Sequence, residues 1–126
     1  MEASTKGAKD ARGSTIGVTC NIFGRSGPNP FLDQVVETSD LFTRLTRLIE
    51  FGRAYVALPG GSGTLLELTL VWELVAKHLM DPKPIILLGR FWETVITTAA
   101  IERPKTKDTV SIAENVSHVL KLLAET

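Results

Sequence analysis

The stretch LPGGSGTLLE, residues 58 to 67, puts three glycines in four positions, two hydroxyls beside them, and one carboxylate a few residues on. It follows the apolar run Tyr55, Val56, Ala57 and opens onto a strongly apolar pattern of helical period. Gly60, Gly61 and Gly63 permit positive φ and let the main chain approach a ligand closely. A helix starting near Thr64 would offer unpaired N–H groups and the positive end of its dipole. With the hydroxyls of Ser62 and Thr64, these groups could cradle a phosphate or carboxylate. A tight strand-to-helix turn that binds nothing uses the same residues, and the glycines alone leave both readings open. The stretch is neither a Walker loop, since no lysine follows Gly63, nor a GxGxxG turn.

Glu67 adds the reactive group. Counting by three and four along the helix aligns it with Leu70, Val71 and Leu74, on or beside the buried stripe and in the first turn. A glutamate there either complements the helix dipole or acts on what the cradle holds. It could stabilise positive charge on a sugar ring or activate a water. Ser62 is not read as a nucleophile: G-x-S is present, but no base is assigned to it.

The elements that must position these groups follow from periodicity. Residues 2–12 suit a weakly apolar helix with Gly13 as its stop. STIGVTC reads as a buried strand, residues 21–33 as a loop rich in glycine, proline and asparagine, and QVVET as a short strand. Ser39 is the expected N-cap of a helix over 40–51, with Leu41, Leu45, Leu48 and Ile49 on one stripe. AYVALP is a strand, the helix from Thr64 runs to about Met80, and DPKP breaks the chain. IILLG is a buried strand, 91–101 a helix, ERPKTKD a polar loop, TVSIA a last strand, and 114–124 a closing helix. Continuously apolar strands separated by helices imply a parallel sheet covered on both faces, an α/β, Rossmann-like, doubly wound layout in one domain spanning 1–126.

Composition sets the outer bounds. The 126 residues carry 14 basic and 14 acidic side chains, a balance that points to neither nucleic acid nor membrane as partner. Cys20 is the single cysteine and cannot form an internal disulfide, which suits a reducing compartment. No apolar run reaches the roughly 18 residues needed to span a bilayer, and MEASTKGAKDARG lacks the apolar core of a secretory signal. A cytoplasmic protein is expected. His78 and His118 lie far apart with no second ligand at metal spacing. Trp72 and Trp92 read as packing groups and Lys83 as solvated.

At this point the residues resemble a family. PGGSGTLLE, Pro59 to Glu67, matches the PGGxGTxxE signature of the LONELY GUY (LOG) family, whose members long carried the description lysine decarboxylase-like. Upstream, DLFTRLTRLIEFGRAYVALPGG has the spacing of the segment from that family's Arg-Lys pair to its signature. MEASTKGAKDARGSTIGV and KPIILLGRFWETVI resemble further family segments. The resemblance implies hydrolysis of the N-glycosidic bond of a nucleoside 5′-monophosphate, of the cytokinin riboside monophosphate or AMP type, to free base and ribose 5-phosphate. Gly60, Gly61, Ser62, Gly63 and Thr64 would then hold the 5′-phosphate, Glu67 would act at the ribose, and Arg44 would be the catalytic arginine. No metal or cofactor is implied, and a homodimer is.

Taken alone, Arg44 would be a solvated side chain in an i, i+4 pair with Asp40, and Arg47, one turn on, is the near alternative. Two departures stand out. Leu45 occupies the position of the family's lysine, and the chain starts where the family's first Gly-rich loop has just ended, so that the opening strand and helix are missing. An edge left so would need covering, which again favours a dimer. A non-catalytic binder or carrier of a phosphorylated ligand, a nucleotide or molybdopterin-type cofactor, is the alternative function.

Overall fold

The computed structural model describes residues 1–23 and 29–126, so the middle of the expected 21–33 loop lies outside the described residues. The chain divides into two units, Met1–Phe51 and Gly52–Thr126. Both are α/β, and every strand pairing in them is parallel.

The first unit contains α1 (Glu2–Asp10), β1 (Ile16–Cys20), a single 3-10 turn, β2 (Gln34–Thr38) and α2 (Leu41–Phe51). β1 and β2 pair from Ile16↔Gln34 to Cys20↔Thr38. Helix α1 buries no residue and is tied down by polar contacts. Lys9 pairs with Asp33, and the Asn29 Nδ2 donates to the Thr5 Oγ1 at 2.7 Å. Its end is set by Arg12, at φ 61. The Arg12 N–H donates to the Lys9 carbonyl and that of Gly13 to the Ala8 carbonyl, a Schellman closure whose left-handed residue is not the glycine.

Asp33 joins the ends of the two strands. Its Oδ2 accepts from the Thr15 N–H at 2.8 Å, and its own N–H donates to the Thr15 hydroxyl at 3.0 Å. Helix α2 begins at Leu41, capped by Asp40 rather than the expected Ser39. The Asp40 Oδ1 accepts from the Thr43 N–H at 2.9 Å and its Oδ2 from the Thr43 hydroxyl at 2.6 Å. The carboxylate one residue on reaches both donors and carries the charge that the helix dipole favours. Of the expected stripe, Leu45 is buried against the sheet, as are Val18 and Cys20 of β1.

The second unit contains β3 (Tyr55–Ala57), α3 (Ser62–Ala76), β4 (Ile85–Leu88), α4 (Glu93–Ala99), a 3-10 helix (Pro104–Thr109), β5 (Val110–Ala113) and α5 (Val116–Ala124). The strand order is β3-β4-β5. β4 alternates between two cores. Ile85 and Leu87 pack with Leu68, Val71, Trp72 and Val75 of α3 and with Trp92 and Ile96 at α4. Ile86 packs on the other face with Ala113 of β5 and Val119 of α5. A strand covered on both faces has no place for a polar side chain, hence the unbroken IILL.

Several boundaries differ from expectation: α1 ends at Asp10, β3 covers only Tyr55–Ala57, α4 only Glu93–Ala99, and α5 starts at Val116. α3 starts two residues before Thr64 and stops at Ala76 instead of Met80. His78, at φ 56, closes it, with the Leu79 N–H donating to the Leu74 carbonyl at 2.8 Å. The polar loop ERPKTKD contains the 3-10 helix, opened by Pro104 and held where the Trp72 Nε1 donates to the Thr106 carbonyl at 2.8 Å. Among the described residues, no helix is long and apolar enough to cross a membrane.

Two predictions follow from these polar anchors. In α5 the Asn115 side chain accepts from the His118 N–H at 3.0 Å, so Asn115→Ala should lower stability by about 1 kcal/mol in denaturant titration. Asp33 is held below the ordinary carboxylate value of 3.8, first by Lys9 and then by the N–H and hydroxyl of Thr15. Asp40 is lowered by the hydroxyl and N–H of Thr43. A carboxyl with a lowered folded pKa contributes fully above its unfolded value and loses that contribution as pH falls through the folded one. Stability of the first unit should therefore decline as pH drops below 3.8. Melting of the Asp33→Asn, Asp40→Asn double variant, followed by circular dichroism, should show a flatter acid limb.

Candidate anion site at the start of the third helix

β3 ends at Ala57, and four residues later α3 begins with Gly61 as its N-cap, at φ −94 and ψ −160. No side chain caps this helix. The first intrahelical bond of this end runs from the Leu65 N–H to the Gly61 carbonyl, so the amides from Gly61 to Thr64 precede the repeating ladder. Gly61, Ser62 and Gly63 are exposed and Thr64 is half-buried. The result is a row of N–H groups at the positive end of a 15-residue helix, a geometry suited to an anion.

Of the two uses expected of the glycines, positive φ is not made. None of Gly60, Gly61 and Gly63 has positive φ; among the described glycines, only Gly89 does. Gly60 is required by close packing: a Cβ there would come within 2.4 Å of the Thr64 Oγ1 and 2.9 Å of its Cβ. At Gly61 and Gly63 an added Cβ would meet nothing within 4 Å. Those two positions leave the space over the amides open.

Glu67 is half-buried. Because α3 starts early, it lies in the second turn, and the first turn holds no acidic residue. The dipole's influence fades within one turn, so it bears less on Glu67 than expected. The buried stripe is Leu68, Val71, Trp72 and Val75, so Glu67 borders it, on the face it shares with Gly63 and Thr64 one turn earlier. Helical side chains tend to lean toward the N-terminus, the direction of the open turn.

Arg44 belongs to the first unit, on α2. It is half-buried, and its Nε donates to the Val18 carbonyl of β1 at 3.0 Å, while the Asp40 carboxylate expected beside it is bonded by Thr43. It is thus not a plain solvated arginine. Arg47 is exposed and pairs with Glu50 at 2.8 Å. Leu45, at the lysine position, is only 5% exposed.

The remaining candidates resolve simply. Among the described residues, no group of three or more His, Cys, Asp or Glu side chains could hold a metal. Cys20 is buried. Lys83, expected in solvent, is half-buried, its Nζ 5.7 Å from the Tyr55 ring centroid. A cleft of about 640 Å³ runs beside α3, lined among others by Leu66, Leu70, Glu73 and Arg103. None of Gly60 to Thr64 nor Glu67 lines it, so the amide geometry is the better guide to the site.

Sequence reasoning missed one residue. Trp92, read as packing, is 5% exposed, and its Nε1 donates to the Leu58 carbonyl at 2.9 Å. The available signal was general: a buried indole N–H needs an acceptor. The family described as possible lysine decarboxylase matches residues 1–123, which include every residue of the candidate site. No curated protein matches the chain.

The geometry separates two glycine substitutions. Gly60→Ala should lower the melting temperature, because Thr64 must move. Gly63→Ala, inside the helix with open space around it, should raise stability by about 0.5 kcal/mol, while its methyl group, added beside the amides, weakens phosphate binding. Thermal melts with and without phosphate would read both effects.

Proposed function

The chain belongs to the family described as possible lysine decarboxylase, and from that premise we propose that it hydrolyses the N-glycosidic bond of nucleoside 5′-monophosphates. The supporting observation is the uncapped start of α3 with Glu67 one turn above it, within the PGGSGTLLE signature. The amides of Gly61 to Thr64 and the Ser62 hydroxyl receive the 5′-phosphate. The C1′–N bond breaks with its electron pair leaving on the base, which takes up a proton. Water adds to C1′, giving ribose 5-phosphate. Glu67 stabilises the oxocarbenium-like ribose or orients that water. Arg44, assigned by the resemblance, positions the substrate or balances developing charge. The substrates are of the AMP or cytokinin riboside monophosphate type.

One observation favours a second reading, a binder or carrier of a phosphorylated ligand. Leu45 is buried where the family has a lysine, so a positive charge is absent. We also propose a homodimer in the cytoplasm. α3 carries apolar side chains beyond its buried stripe, with Leu66 exposed and Leu70 and Leu74 half-buried, and such surface favours cover.

Incubation with a panel of nucleoside monophosphates should release free base, detected by chromatography. Glu67→Gln should lower the rate by about a hundredfold or more with the fold intact, as should Arg44→Ala. Unchanged turnover in Glu67→Gln would overturn the chemistry. Binding of AMP without base release would establish the carrier reading. Light scattering should give about twice the 13.7 kDa of one chain.

A further inference from the structure

We infer that Trp92 is a positioning residue for the anion-binding turn: its indole N–H fixes the peptide plane from which the amides of Gly60 to Thr64 are aimed. The inference rests on reading that turn as an anion cradle.

The β3–β4 ladder ends at Ala57↔Leu87, so the Leu58 carbonyl lies beyond the last ladder pair, directly before Pro59. A buried indole N–H needs an acceptor, and the Trp92 Nε1 finds it in this carbonyl at 2.9 Å, although Leu58 itself is exposed. The indole is itself packed on several sides. It belongs to the core formed with Val71, Leu87 and Ile96, and Phe91 stands edge-on to it at 4.7 Å between centroids. At the other end of the turn, Thr64 presses on Gly60 with no room for a Cβ. Leu58 to Gly60 is therefore held at both ends, by the residue that caps α4 and by the first turn of α3.

Two anchors matter because aim matters. Several N–H groups must converge on one anion, and a displacement of about 1 Å is enough to degrade such a constellation. Without the indole, the Leu58–Pro59 plane keeps only its far anchor at Gly60, and the amides that follow lose part of their aim. Trp92 would not touch the ligand; it acts through the Leu58 carbonyl.

The molecule contains its own control. Trp72 is also buried, 7% exposed against 5%, lies in the same core, and donates its Nε1 to a carbonyl 34 residues away, Thr106, at 2.8 Å. It differs in holding a 3-10 helix instead of the glycine turn. Trp92→Phe and Trp72→Phe should therefore lower the melting temperature to a similar degree, each losing one hydrogen bond and some packing.

Only Trp92→Phe should shift the ligand-free amide resonances from Gly60 to Thr64, and only it should weaken AMP binding, by roughly three- to tenfold, the range set by one neutral hydrogen bond. Equal effects of both variants on those amides, or shifts confined to Leu58 and the ring's neighbours, would overturn the inference. Should Trp92→Phe not fold, the unaltered protein decides. On AMP titration the Trp92 indole proton should move with the Gly60–Thr64 amides while that of Trp72 stays. A stationary Trp92 indole beside moving amides would overturn the inference. An absence of any AMP-induced shift would count against the cradle itself, and the ligand-free comparison would still judge Trp92.

Discussion

Ile85, Ile86 and Leu87 of β4 are 1%, 1% and 0% exposed, and this burial from both sides constrains the rest of the second unit. A central strand with no solvent face must be covered above by α3 and α4 and below by α5. Parallel neighbours on each flank then require helical crossovers rather than hairpins. Each crossover helix after a parallel strand starts at that strand's carboxyl end, so the start of α3 and the turn carrying Trp92 emerge at the same edge of the sheet. Truncating Leu87 to alanine would cost about 2–5 kcal/mol, and with it the frame that sets these two turns side by side.

Helix starts differ in how they are capped. α2 is capped by the Asp40 carboxylate and α5 by the Asn115 amide, each side chain occupying the position where an anion would sit. α1, α3 and α4 have no side-chain cap, and of these three α3 has a glycine at the N-cap. The stability forgone relative to serine is only a few tenths of a kcal/mol, a small amount against keeping a row of amides open. Glu67 complements this design. It stands in the second turn, and the first turn holds no acidic residue.

Much of this was legible in local pattern. IILL announced a strand buried on both faces, and PGGSGTLLE the turn, the helix and the carboxylate. Helix ends were less legible because their signals were nonstandard. Arg12 and His78 take left-handed positions where a glycine is usual, so α3 ends before Met80, and Asp40 displaces Ser39 because a carboxylate reaches Thr43 twice. The expected positive φ at the glycines was overturned for another reason: whether a glycine is present for conformation or for clearance depends on its neighbours in space, as Thr64 shows at Gly60. The bonds of Trp92 to Leu58 and of Arg44 to Val18 join residues distant in sequence, which periodicity cannot encode.

The order β3-β4-β5 follows the chain, and this has a consequence for assembly. Each strand pairs with the next one synthesised, Tyr55 with Ile85 and Ile85 with Val110, so no pairing waits for a distant segment. Loop-closure entropy is then spent in two instalments, each one crossover long. Once β4 has left the ribosome it can dock on β3 and α3 before β5 exists. The glycine turn between β3 and α3 belongs to the first of these modules to form.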